Sequence, residues 1–152
     1  MYQSTGSELV LFLRGLSKGL TGEDIGADLG ECLGEGEQLI SDVQEALADI
    51  EKGSADLAAV VNGIFKLIQV IQEVSMATED CKNVSASVYE KLYEFSLRFA
   101  DYNALLSRIA MNMFYHGTEI YGDLNTATEY YNKSDYYNAG LYVGMAIEIA
   151  TQ

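Results

Sequence analysis

Not one proline interrupts this 152-residue chain, where average usage would place about seven. Its apolar residues recur at alternating gaps of three and four along most of the length, the spacing of a helix face. Proline removes a backbone donor and clashes with the preceding turn, so a chain without it is free to form long helices. The pattern predicts an all-α protein, an antiparallel helical bundle of four to five helices with a short N-terminal amphipathic helix. Residues 1–20 read as that helix, a candidate docking segment, and residues 21–152 as the bundle.

A globule of 16.7 kDa buries about 69% of the surface of its extended chain, enough for one core. With 49% hydrophobic and 21% charged residues, the composition is that of a folded protein rather than a disordered one. The charge is lopsided: 23 acids stand against 9 bases, a formal net charge of −14. Lys18 and Lys52 enclose ten carboxylates and no cation between them. Nucleic acid is excluded as a partner, because affinity for phosphate backbones comes from lysine and arginine displacing counterions. Anionic membrane surfaces are disfavoured for the same reason. No apolar run reaches the 18 or more residues of a membrane span, so no span is predicted. The chain reads as cytoplasmic if Met1 is its initiator, or as a processed extracellular chain if a leader has been removed.

Along the chain, Thr5-Gly6-Ser7-Glu8 has capping-box spacing, and Leu9, Phe12, Leu13, Leu16 and Leu20 then share one helix side. A second helix is predicted from Thr21 to Lys52, weakened at its start by five glycines and stopped by Gly53. Ser54 caps a third, apolar round most of its circumference and therefore placed at the centre of the bundle. After a polar turn at 75–83, the stripe Val84, Val88, Leu92, Phe95, Phe99, Tyr102, Leu106, Ile109, Met113, Ile120, Leu124 and Ala127 is too long for one straight helix. A bend is predicted at 100–103 or at Gly117. Asn132-Lys133-Ser134-Asp135 breaks the pattern before a last helix, whose Gly140 and Gly144 form a small-residue ridge for close packing, within the fold or with another copy.

Few residues suggest chemistry. His116 is the single histidine, predicted to be a partly buried packing residue. The two Glu-x-x-His pairs of a di-iron bundle are missing, as are phosphate loops and nucleotide fingerprints. No catalytic residue, metal ligand or cofactor is assigned. The acids Glu23, Asp24, Asp28, Glu31, Glu35 and Glu37 read as a solvated face, a calcium site being the alternative. Cys32 and Cys81 fall at the same end of the predicted bundle, either bridged, closing a loop worth about 4 kcal/mol, or as two free thiols. Asn83-Val84-Ser85 and Asn132-Lys133-Ser134 match the glycosylation acceptor, and both fall in predicted turns. Seven of the eleven tyrosines follow Phe114, among them Tyr136 and Tyr137, and tyrosine suits contact surfaces.

Several of these anchors coincide: Phe12-Leu13-Arg14-Gly15-Leu16 with Gly19, Cys32, Cys81, Asn112, His116, Ile120, and Asp135-Tyr136-Tyr137-Asn138-Ala139-Gly140 with Gly144. Together they resemble a large family of small, two-cysteine helical proteins of unicellular eukaryotes, ciliates especially. The resemblance implies a secreted or luminal chain with paired cysteines, and it transfers no catalytic residue. The sequence therefore points to a non-enzymatic structural or interaction protein, extracellular or on the cell surface. Its partners would be copies of itself through Leu9, Phe12, Leu13, Leu16, Tyr136 and Tyr137, with a filament if the contact does not close. N-glycans on Asn83 and Asn132 accompany this reading. The alternative is a binding module that holds a lipid or a partner's helix between its apolar faces.

Overall fold

The computed structural model describes residues 5–24, 37–53, 56–79 and 86–152. Among these, six α-helices account for the regular structure: α1 (Thr5–Thr21), α2 (Glu37–Glu51), α3 (Leu57–Glu79), α4 (Ala86–Leu97), α5 (Tyr102–Asn132) and α6 (Tyr136–Thr151). The all-α bundle read from the periodicity is the fold observed.

Local chemistry explains most boundaries. Gly22 adopts φ +84° and its amide donates to the Lys18 carbonyl at 2.9 Å, so α1 stops where a left-handed residue becomes cheap. The helix predicted to begin at Thr21 therefore does not begin there, since Thr21 is the last residue of α1. Gly53, at φ +62°, terminates α2 in the predicted manner. The start of α3 is held by Asp56, whose side chain accepts from the Ala59 amide at 3.1 Å, while Ser54 lies outside the described residues. Asp101 and Asp135 cap α5 and α6 by accepting from the amides of Ala104 and Asn138. Where one bend was expected, at 100–103 or at Gly117, the chain is interrupted twice: it breaks between Leu97 and Tyr102, and α5 kinks at His116, whose φ of −125° and ψ of 22° leave the helical region.

The core gathers one face of every helix. Leu9, Phe12, Leu13, Leu16 and Leu20 of α1, Ala46, Leu47 and Ile50 of α2, and Val60, Ile64, Leu67, Ile68 and Ile71 of α3 are all buried. Its organising element is α6 rather than α3, which the apolar circumference had placed at the centre. Both α1 and α5 pack along α6, and its Ala139, Gly140, Val143, Gly144, Ala146 and Ile147 are buried between them. Small side chains let two helices close on a third at short range, which a larger residue would prevent. α5 reaches α6 through a tight turn containing Ser134 at φ +64° and so runs antiparallel to it. The register of α1 on α6, Gly15 beside Tyr137 and Gly19 beside Leu141 and Gly144, makes this pair parallel. Parallel neighbours cannot share a short loop, and these two helices come from the two ends of the chain.

Within α3, Leu57–Val74 is an 18-residue stretch of mean hydropathy 1.4, which corrects the reading that no run is long and apolar enough for a span. Its buried face packs against α2 and α4, as the core helix of a bundle does.

Candidate self-association surface

Four residues expected to face a second copy are spent inside the fold. Leu9, Phe12, Leu13 and Leu16 are buried against α6 and the rest of the core, and this corrects the docking role given to residues 1–20. Glycine is the cause. A Cβ on Gly15 would overlap the Tyr137 carbonyl oxygen, one on Gly19 the Leu141 carbonyl oxygen, and one on Gly140 the Phe12 carbonyl oxygen. A Cβ on Gly144 would sit 2.5 Å from the Leu16 oxygen and 3.0 Å from the Gly19 Cα. Two Gly-x-x-x-Gly ridges thus press backbone to backbone, and the ridge of α6 finds its partner within the same chain.

Tyr136 and Tyr137 are half-buried in the same seam. Tyr136 meets Tyr131 edge-on at 5.2 Å, and Tyr131 in turn meets Phe12 at 6.5 Å. The Arg14 guanidinium lies 5.9 Å from the centre of the Tyr137 ring. These rings seal α1 to α5 and α6, and burial pushes the Tyr131 hydroxyl above its usual pKa.

The exposed apolar face lies elsewhere, on the half of α5 before its kink. Phe114 is 82% exposed, Tyr115 71% and Met111 58%, and the Phe114 and Tyr115 rings meet edge-on at 5.1 Å. Ser107, Met111 and Phe114 stand four and three residues apart and so form one row on the helix before the kink, with the exposed Thr118 just beyond it. That row points away from Leu105 and Ile109, which α5 turns into the core. The apolar stripe had been placed through Leu106; the structure buries Leu105 at 2% exposure and leaves Leu106 at 40%. The segment is fixed on α6 by Asn112, whose amide donates to the carbonyl oxygens of Ala150 at 2.9 Å and Gln152 at 3.3 Å. Arg108 ties it to the turn that follows α4 by donating to the Arg98 carbonyl. From Tyr102 to Thr118 the sequence holds no carboxylate. That gap was a signal available in the sequence, hidden because Leu106 and Met113 read as core.

His116 is exposed rather than partly buried, because the kink at its own backbone turns it out of the stripe. The acids of the first segment that are described are engaged by cations. Glu23 accepts from Lys91 at 3.0 Å and Ser87 at 3.1 Å, which holds its carboxyl below the usual value, the lysine being the larger cause. Asp24 accepts from Arg14 at 3.0 Å. Asp28, Glu31 and Glu35 lie outside the described residues, as does the side chain of Glu37. On α2, Asp49 is lowered chiefly by Lys66 at 3.0 Å. Asp123 on α5 is raised, first by burial and then by Glu119.

Cys32, Cys81 and Asn83 lie outside the described residues. Asn132 is exposed at the last turn of α5. A cavity between α1 and α3 beside Ser17 holds about 10 Å³, and one beside Tyr131 about 20 Å³. Each is about the size of one water, so neither admits a lipid chain. A polar cleft of about 230 Å³ opens between α1, α4 and α6, where Arg98 pairs with Glu148 at 2.8 Å.

Among curated proteins and among solved structures, none matches this chain. A protein-family model does match, over residues 2–152, and it corrects the resemblance to a ciliate family drawn from anchors between Phe12 and Gly144, the two cysteines among them. With all but the first residue matched, the chain belongs to the SctB-like family, described as secreted protein B-like.

Proposed function

We propose that this chain is a secreted, non-enzymatic structural protein that works by associating with copies of itself. The family supports secretion, and the observation that carries self-association is the α5 face. A phenylalanine 82% exposed beside exposed Met111 and Tyr115 is costly in water, and contiguous apolar surface of this kind marks interaction sites. Filament growth through a docking N-terminal helix loses its support, since α1 is seated in its own core. The contact is therefore between outer faces of folded bundles. A lipid held between helices finds no room in the two water-sized cavities, and the larger cleft is lined by Lys91, Glu94, Arg98 and Glu148.

Secretion also favours a Cys32–Cys81 bridge over free thiols, because oxidising compartments preserve disulfides. Intact mass after alkylation, with and without prior reduction, tests it: label before reduction would reject the bridge. A glycan on Asn132 would sit about 27 Å along α5 from Phe114, clear of the apolar face. Sedimentation velocity over a wide concentration range tests the central claim. Assembly above the monomer mass is expected, and a monomer throughout would refute it.

A further inference from the structure

We infer that the self-contact is a closed two-fold pairing of α5 against α5 of a second copy, antiparallel, with Met111 and Phe114 at its centre. This rests on the self-association reading above. Charge and exposure together select the face. In a chain of net charge −14, two copies approach only where carboxylates are scarce. α2 carries Glu37, Asp42, Glu45, Asp49 and Glu51, α4 carries Glu90 and Glu94, and α5 beyond its kink carries Glu119, Asp123 and Glu129. Residues 9–21 of α1, 57–72 of α3 and 136–147 of α6 also lack carboxylates, but most of their large apolar side chains are buried; the 102–118 stretch lacks them and exposes Met111, Phe114 and Tyr115, its ionisable groups being Arg108, His116 and the phenols of Tyr102 and Tyr115.

The order of side chains selects the symmetry. The outward row before the kink reads Ser107, Met111, Phe114, with the exposed Thr118 just beyond it: two large apolar residues flanked by small polar ones. Reversed onto itself, the row sets each Met111 sulphur against the partner's phenyl ring, a favourable thioether–aromatic contact. An isologous interface requires this self-complementarity. Area is adequate as well. Phe114 and Tyr115 at their exposures present about 300 Å² together, and the 17-residue stretch is about 25 Å long. With Ala110, Met111 and the polar flanks included, the face supplies a large part of the roughly 800 Å² per partner of a standard interface.

The test is sedimentation equilibrium on the full chain and on Phe114→Glu, with Leu57→Glu as a control that adds the same charge at an exposed apolar site on α3. Circular dichroism verifies that each variant is folded. Wild type and control are expected to stop at two copies. Phe114→Glu is expected to weaken association by about a hundredfold or more, since it places two carboxylates at the axis of one dimer. Deuterium uptake at 106–118 is expected to fall as wild-type concentration rises. If wild type associates and Phe114→Glu associates equally well, the α5 pairing is wrong while self-association stands. Growth beyond two copies overturns the closed two-fold form. A wild type that stays monomeric but floats with phosphatidylcholine vesicles, dependent on Phe114, overturns both and assigns the face to a lipid surface.

Discussion

Alanine at Gly140 and alanine at Gly122 are the same substitution in two helices, and the structure gives them opposite signs. In a helix interior alanine is favoured over glycine by about 1 kcal/mol. Around Gly122 nothing lies within 4 Å of a new Cβ, so Gly122→Ala should stabilise by about that amount and raise Tm by about 3 °C. At Gly140 the new Cβ would overlap the Phe12 carbonyl oxygen and lie 2.8 Å from the Leu16 amide nitrogen. Both obstacles are backbone, so no side chain can rotate away and α1 must back off from α6. The five buried apolar residues of α1 contribute about 10 kcal/mol of gross burial at about 2 kcal/mol each. A gap of 0.5–1 Å forfeits about a quarter to a half of a packing contact, so about 3–5 kcal/mol is lost. Subtracting the helix preference leaves a net destabilisation of about 2–4 kcal/mol, or a Tm lower by about 10 °C. Urea unfolding followed by far-ultraviolet circular dichroism measures both variants. If Gly140→Ala matches or exceeds wild type, the two glycine ridges are not in backbone contact, and α1 would again be available as a free docking segment.

Removing residues 1–20 takes out that same burial of about 10 kcal/mol, comparable with the whole stability of a typical domain, and is expected to abolish cooperative thermal unfolding; a truncated chain with an unchanged transition would show α1 to be peripheral. Asp123 is raised by burial, so the folded state holds its proton more tightly than the unfolded state, and its contribution to stability declines as pH climbs from the ordinary aspartate value, about 3.9, through its folded value. Asp123→Asn should flatten the stability profile over that interval, measured by urea titrations at a series of pH values. Asp49 is lowered by Lys66, so its stabilising effect is complete above the ordinary value and lost as pH falls through the folded one. Asp49→Asn should therefore flatten the acid limb and leave the shape above it unchanged. An acid limb identical to that of wild type would show that the Lys66 contact does not form in solution.

Periodicity carried the helical class, because an apolar residue every three or four positions has no other economical way to leave water. Glycine and aspartate carried many of the boundaries for equally local reasons: Gly53 takes a left-handed φ, and Asp135 reaches an amide three residues on. The candidate site was much less legible. Met111 and Phe114 sit in an apolar helix among residues of similar character, and nothing local distinguishes Leu105 from its neighbour Leu106. Which of them faces water depends on how α5 is rotated on α6, and Asn112 sets that rotation by holding the far end of α6.

Composition, spacing and charge by themselves determined an acidic bundle of helices with an apolar N-terminal segment and a small-residue ridge near its end. Only the tertiary structure decided that Gly15 and Gly19 meet Gly140 and Gly144 within one molecule, which buries the first helix and leaves the middle of α5 bare. The physical reason is that side-chain periodicity records which residues must avoid water, while the partner that covers each face depends on contacts between residues more than a hundred positions apart.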